Sequence, residues 1–207
     1  MNITIEPLRP EEIPALSTIM GKAYVTNPMN IAVLGPNSGR NEAMFKVLLE
    51  RFPGQTFAAK EDGRIVGGMK MVEWPDCQMP PSKMLPILPT MSKILGWRIT
   101  KVLQWMPAWG KVDPKQPHWH FGPIGVLPER QGQGIGSQLL TYFCQQVDRL
   151  GMAAYLETDR PENLPLYQKF DFKVTSEATV LGVPNWFMWR DSTPGGPGTP
   201  AATPKDS

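Results

Sequence analysis

Three observations predict an α/β fold, a central sheet covered by helices. Apolar residues alternate at strand spacing in several short runs and recur at helical spacing between them. Asp62-Gly63 joins two of the strand-like runs as a hairpin turn. A glycine-rich turn, Gln131 to Ser137, stands between an apolar strand-like run and an amphipathic helix-like run. The 207 residues are enough for one domain with a substantial core.

In chain order, Ile3, Ile5 and Leu8 predict a first strand over 2–8. Pro10 opens a helix on which Ile13, Leu16, Ile19 and Ala23 share a face. Asn41 is the predicted cap of a second helix, with Met44, Val47 and Leu48 on its apolar side. Gln55 to Lys60 and Arg64 to Trp74 form the hairpin around Asp62-Gly63. Residues 76–117 read as a helical or irregular insert, with one or two helices near 83–106 and prolines at 80, 81, 86 and 89. Its Trp97, Trp105 and Trp109 fit either an extra packing layer or an apolar lid over a pocket.

His118 to Val126 is the predicted central strand, with His118, His120, Gly122, Ile124 and Val126 on one face. Ser137 to Leu150 is amphipathic, its stripe being Leu139, Leu140, Phe143, Val147 and Leu150. Ala153 to Thr158 is a short buried strand. Pro161 and Glu162 suit the first turn of a helix carrying Asn163 and Tyr167 at i, i+4. Phe172 to Leu181 and Trp186 to Arg190 close a hairpin through Gly182-Val183-Pro184-Asn185. Residues 191–207 are rich in Pro and Gly and too poor in apolar side chains to pack, so a disordered tail is expected after a domain spanning 1–190.

The glycine turn is the chemical signal. Gly132, Gly134 and Gly136 remove side chains from a tight turn, and a helix begins directly after it. Backbone N–H groups and the positive end of the helix dipole then face one spot, a cradle for a phosphate or pyrophosphate. No Lys follows the glycines, which excludes a Walker A loop. The third Gly falls one residue early for a dinucleotide fingerprint. Gln131, Gly134 and Gly136 instead fit Gln/Arg-x-x-Gly-x-Gly/Ala.

Together with HWHFGPIGVLPERQGQGIGSQLL around it, and LETDRPENLPLYQKFDF downstream, this motif resembles the GCN5-related N-acetyltransferase (GNAT) family. The resemblance is strong over 118–176, architectural over 1–75 and weak over 76–117. The downstream segment is most similar to the puromycin N-acetyltransferase-like branch. The resemblance implies a GNAT fold: a mixed, mostly antiparallel, twisted sheet of about six to seven strands, flanked by helices and splayed between strands 4 and 5. Asp171 stands where family members usually have Gly at a left-handed cap, a conformation Asp tolerates.

The resemblance also implies roles. Gln131, Gly132, Gln133, Gly134, Ile135, Gly136 and Ser137 hold the pyrophosphate of acetyl-CoA. Ile124, Gly125 and Val126 line its acetyl and pantetheine arm, with the Val126 N–H as oxyanion donor. Asn163 hydrogen-bonds the arm. Tyr167 is the general acid for the leaving thiolate, a role its phenol pKa near 10 suits. For the base, His120 on the face shared with Val126, Glu157 on the adjacent strand and the weaker Glu73 compete with a water chain.

Composition bounds the rest. With 21 basic and 19 acidic residues, net charge +2 and no Lys/Arg run, no nucleic-acid partner is implied. Cys77 and Cys144 are isolated and His118 and His120 are the only histidines, so no metal site is expected, and the thiols fit a reducing cytoplasm. MNITIEPLRPEE lacks the pattern of a signal peptide, and no stretch of about 18 apolar residues offers a membrane span. The expectation is a cytoplasmic enzyme that moves an acetyl group from acetyl-CoA to a primary amine of a small molecule, in a ternary complex. A peptide or protein acetyltransferase, a longer-chain acyltransferase with room at Gly122 and Gly125, a non-catalytic acyl-CoA sensor and a nucleotide-binding protein are the alternatives. GNAT proteins often dimerise, so a homodimer is admitted.

Overall fold

The computed structural model describes residues 2–78 and 81–193. The expected disorder of the tail concerns residues that, from 194 on, lie outside that range. The strands are β1 (Ile3–Pro7), β2 (Gln55–Glu61), β3 (Arg64–Glu73), β4 (Trp119–Val126), β5 (Ala154–Thr158), β6 (Lys173–Val180) and β7 (Val183–Arg190). The helices are α1 (Ile13–Ala23), α2 (Pro28–Leu34), α3 (Ser38–Arg51), α4 (Pro81–Met84), α5 (Leu88–Leu95), α6 (Ile99–Gly110), α7 (Ile135–Arg149) and α8 (Leu164–Gln168). The strands form one sheet in the order β1-β2-β3-β4-β5-β7-β6. Every neighbouring pair is antiparallel except β4 and β5.

Two helical layers sandwich this sheet. α7 presents Leu139, Leu140, Phe143 and Val147, each with no solvent exposure, to Met69, Met71, Phe121 and Leu156. The predicted stripe holds except at its end, where Leu150 is 45% exposed. On the other face α1 and α3 pack around Leu16, Met20 and Phe45. A third apolar cluster joins α2, α4, α5 and α6 to the end of β6 through Met29, Val33, Met91, Val102 and Val180. The insert is therefore a packing layer, with more helix than the sequence pattern predicts.

Several local expectations need correction. Asn41 does not cap α3. Asn37 does, its side chain accepting from the Arg40 N–H at 2.8 Å, while Asn41 is buried inside the first turns. α2 was not predicted; Asn27 caps it and Pro28 opens it. The last hairpin turns tightly at Leu181-Gly182, with φ of 53° and 80°, so Val183, Pro184 and Asn185 lie in β7 rather than in a loop. Pro184 is tolerated because β5 pairs with β7 only from Trp186 onward, so its missing N–H breaks no ladder bond on that side. Asp171 does take the left-handed cap, with φ of 65°.

The most consequential departure lies within β4. Met69 pairs with Ile124 but Met71 pairs with Phe121, so β4 carries one extra residue at Gly122-Pro123. The bulge resets the alternation. Phe121, Ile124 and Val126 all face the α7 core, whereas His120 faces the opposite side. His120 and Val126 therefore do not share a face as strict period-two counting predicts.

Because Phe143 is fully buried against Phe121, with ring centroids 4.8 Å apart, it ties α7 to β4. Phe143→Ala should cost about 3–5 kcal/mol of stability, read as a lowered urea midpoint with an unchanged m-value.

Candidate active site

The parallel strands β4 and β5 are paired at Trp119–Ala154 and His120–Tyr155, and beyond those positions they part. Pro123 has no N–H to offer a neighbouring strand, and the bulge turns β4 away from a straight course. A cleft of about 1560 Å³ opens along this gap. It runs from the glycine turn, past Ile124–Val126, to the insert helices.

At the turn, Gly132 and Gly134 have φ of 74° and 81°, a region that side-chain-bearing residues enter at a cost. Gly134 is the N-cap of α7 and no side chain caps that helix. The first intrahelical bond is Gln138 N–H to Gly134 O at 3.0 Å, which leaves the preceding N–H groups without helical acceptors. Gln131, Gly132, Ile135 and Gly136 line the cleft. The Gln131 side chain donates to Val126 O at 3.0 Å and so fixes the turn against β4. Gln133 instead points back, accepting from Arg130 at 2.9 Å and donating to Glu129 O. Arg130 is itself held by both carboxylate oxygens of Glu61. Gln133, Gly134 and Ser137 do not line the cleft directly.

The backbone of β4 is oriented by the ladder. Leu127 N–H donates to Val66 O at 2.9 Å, which makes Gly67–Val126 a non-hydrogen-bonded pair. The N–H of Val126 therefore points away from β3, into the gap that β5 has vacated. The Ile124 backbone faces the same way, close enough to the Tyr24 hydroxyl to bear on its charge. A Cβ at Gly122 would meet nothing within 4 Å, whereas one at Gly125 would lie 2.5 Å from Met20 Sδ. Met20 fills that space.

Tyr167 and Asn163 both line the cleft from the opposite wall. Asn163 ends a single 3-10 turn that precedes the short α8, so the two residues keep their expected one-turn spacing. Tyr167 is buried, and burial, with the nearby carboxylates Asp159 and Glu157, raises its phenol pKa. It stays protonated throughout the neutral range. The walls are tied together by Asp159, whose carboxylate accepts from Asn27 Nδ2 at 2.7 Å and from the Met29 N–H at 2.6 Å.

At the inner end of the gap, His120 Nε2 lies 2.6 Å from Glu157 Oε2, with the Glu157 side chain only 4% exposed. Burial by itself would lower the His120 pKa. The Glu157 charge and the contact with Cys77 more than offset it, and the imidazole is held well above its ordinary 6.5. His118 is different. Its Nδ1–H donates to Gln116 O at 2.7 Å, leaving Nε2 to face Cys77 Sγ at 3.6 Å, and burial pushes its pKa down. Glu73 is exposed and does not line the cleft, because the ladder places it opposite Trp119.

Two cleft residues escaped the sequence reading. Asp113 follows α6, and its carboxylate accepts from the Tyr155 hydroxyl at 3.3 Å. Burial and the Glu157 charge push its pKa up to about 6. Nothing in Lys-Val-Asp-Pro marks it, since only the return of the insert brings it to Glu157. Tyr24 was likewise hidden at the end of a regular helix pattern. Among the described residues no cluster of His, Cys, Asp and Glu suits a metal ion, and no helix is long and apolar enough to cross a membrane.

Comparison with known proteins places this geometry. The model of the acetyltransferase (GNAT) family matches residues 27–172. Mycothiol acetyltransferase of Paenarthrobacter aurescens (strain TC1) is 37% identical over 71 residues, which are 31% of this chain and 22% of that protein. This chain thus aligns with about a fifth of the length of that curated relative. The structure of histone acetyltransferase HPA2 and related acetyltransferase from Corynebacterium glutamicum is similar at a TM-score of 0.75 and 20% identity, covering 98% of this chain and 100% of that one. The structure of yncA from Salmonella typhimurium, solved with its cofactor acetyl-CoA, is similar at a TM-score of 0.58 and 14% identity, with both chains covered in full. At such identities the likeness to the solved structures is one of fold.

The raised His120 pKa has a stability consequence of definite sign. Its contribution is full below the unfolded value near 6.5 and fades as pH rises through the folded value. Glu157→Gln should therefore lose about 1.5–3 kcal/mol near pH 6 and progressively less at alkaline pH, measured by urea unfolding across that range.

Proposed function

The chain belongs to the acetyltransferase (GNAT) family, and from that premise we propose that it is an N-acetyltransferase that moves the acetyl group of acetyl-CoA to a primary amine of a small molecule by direct attack in a ternary complex. One observation carries the reading: a single cleft holds the uncapped N-terminus of α7, the outward-facing Val126 N–H, Tyr167 and the His120–Glu157 pair. Acetyl-CoA supplies an activated thioester; the protein supplies position, charge and protons.

The N–H groups of the turn from Gln131 to Ser137, with the α7 dipole, take the pyrophosphate. The fit is physical: an added Cβ at Gly132 or Gly134 would meet nothing within 4 Å, so the approach to the turn is open. Ile124, Gly125 and Val126 line the arm, and Asn163 hydrogen-bonds it from the other wall. The Val126 N–H donates to the carbonyl oxygen as negative charge develops there. The amine nitrogen forms its bond to the acetyl carbon, the carbon–sulfur bond breaks, sulfur takes the Tyr167 proton, and the surplus proton on the new amide nitrogen returns to the Tyr167 phenolate.

An ammonium must first lose a proton. His120, protonated beside Glu157, has no lone pair for it until pH approaches the raised pKa of the imidazole. The pair therefore acts as one unit, Glu157 attracting the cation and His120 accepting the proton once neutral. The sequence resemblance of 156–172 to the puromycin-type branch supports trying aminonucleosides early among acceptors.

Thiol release over an amine panel tests the reading. Tyr167→Phe should lower kcat by about 10²–10⁴-fold with acetyl-CoA affinity kept, whereas binding without turnover on any amine would favour a sensor. The rate should rise with pH through an inflection above 6.5, and Glu157→Gln should move that inflection down. An inflection near pH 6 that Asp113→Asn abolishes would assign the base to Asp113 instead.

A further inference from the structure

The cleft is chemically lopsided. Three carboxylates line it: Asp113, Glu157 and Asp159. Asp159 already accepts two short hydrogen bonds from Asn27 and the Met29 N–H, so it has little left for a ligand. The Glu157 charge bears on Asp113, and the two sit at the end of the gap where β4 and β5 part. Beyond them the chamber between α3, α5 and α6 is walled by Met44, Met91, Val102, Trp105, Met106 and Trp109. Among the described residues that line this chamber there is no carboxylate other than Asp113, while Lys111 and Lys115 stand near the end of α6. Leu85 and Leu103, 64% and 53% exposed, carry the apolar wall out to solvent.

A cation entering this chamber far from Asp113 would lose water and gain no counter-ion, a costly exchange. An apolar body would gain by burial, and thioether and indole walls adapt to its shape. Building on the acetyltransferase reading, we infer that the acceptor is a monocationic lipophilic amine, its one ammonium between Asp113 and the His120–Glu157 pair and its aromatic or alkyl body in the Met- and Trp-lined chamber. Linear polyamines and guanidino-amines, which carry a second cation at the far end, are selected against.

Octylamine and 1,8-diaminooctane, equal in carbon number and different by one terminal ammonium, separate the cases. Thiol release should give octylamine at least a tenfold higher kcat/KM, and calorimetry on the CoA-bound protein should show the same order of affinity. Leu103→Glu, which places a carboxylate on the exposed rim, should shrink that ratio by raising the diamine. Preference for the diamine or for a lysine peptide in the unmodified protein, or failure of octylamine to bind beside CoA, overturns the inference and leaves the acetyltransferase reading standing. Failure of acetyl-CoA itself to bind removes that reading, and this inference with it.

Discussion

The parting of β4 from β5 is the constraint on which the rest of the site depends. Parallel strands that stay paired leave no room for a ligand between them. Here the pairing stops after His120–Tyr155. The cause is local to β4: a bulge at Gly122-Pro123 and a proline that cannot donate to a neighbour. Once the strands diverge, backbone groups that would be spent in a ladder become available to a ligand. The Val126 N–H faces that gap because the Gly67–Val126 pair is a non-hydrogen-bonded one. The same divergence lets α7 start at the edge of the gap with its N–H groups uncovered.

The bulge has a second effect, on which side chains meet. By shifting the alternation it sends Ile124 and Val126 into the α7 core and leaves His120 on the opposite face, beside Glu157 and Tyr155. The site thus divides between backbone donors near the turn and ionisable side chains at the inner end. Burial sets the character of the second group. It keeps Tyr167 protonated and lifts the Asp113 carboxyl, while the Glu157 charge, acting against burial, holds a proton on His120. Three residue types that would titrate routinely in water are each displaced in a direction set by their neighbours.

The insert completes the cleft and supplies much of its chemistry. Its helices bury their own core against α2 and β6 and present Met and Trp side chains to the cleft. The packing-layer and lid readings of its tryptophans are not exclusive in this fold. Trp105 and Trp109 pack edge to face at 4.9 Å and also line the cleft. Trp97, 70% exposed, does neither.

What the sequence determined by itself is what nearest neighbours along the chain decide. The turn glycines, the helix after them, the Asp62-Gly63 hairpin, the Asn163–Tyr167 spacing and the left-handed Asp171 all follow from local backbone sterics and periodicity, and all are present in the fold. The motif order was enough to point to the family. Tertiary structure alone decided which face His120 occupies, because one bulged residue inverts a period-two count without disturbing the apolar pattern around it. It alone brought Asp113 to Glu157 across 44 residues of chain, since nothing in either segment encodes the path of the insert. It also put Met20 against Gly125, closing a space the sequence left open. Register, insert trajectory and the charge state of a buried pair depend on contacts remote in sequence, and only the folded chain brings those contacts together.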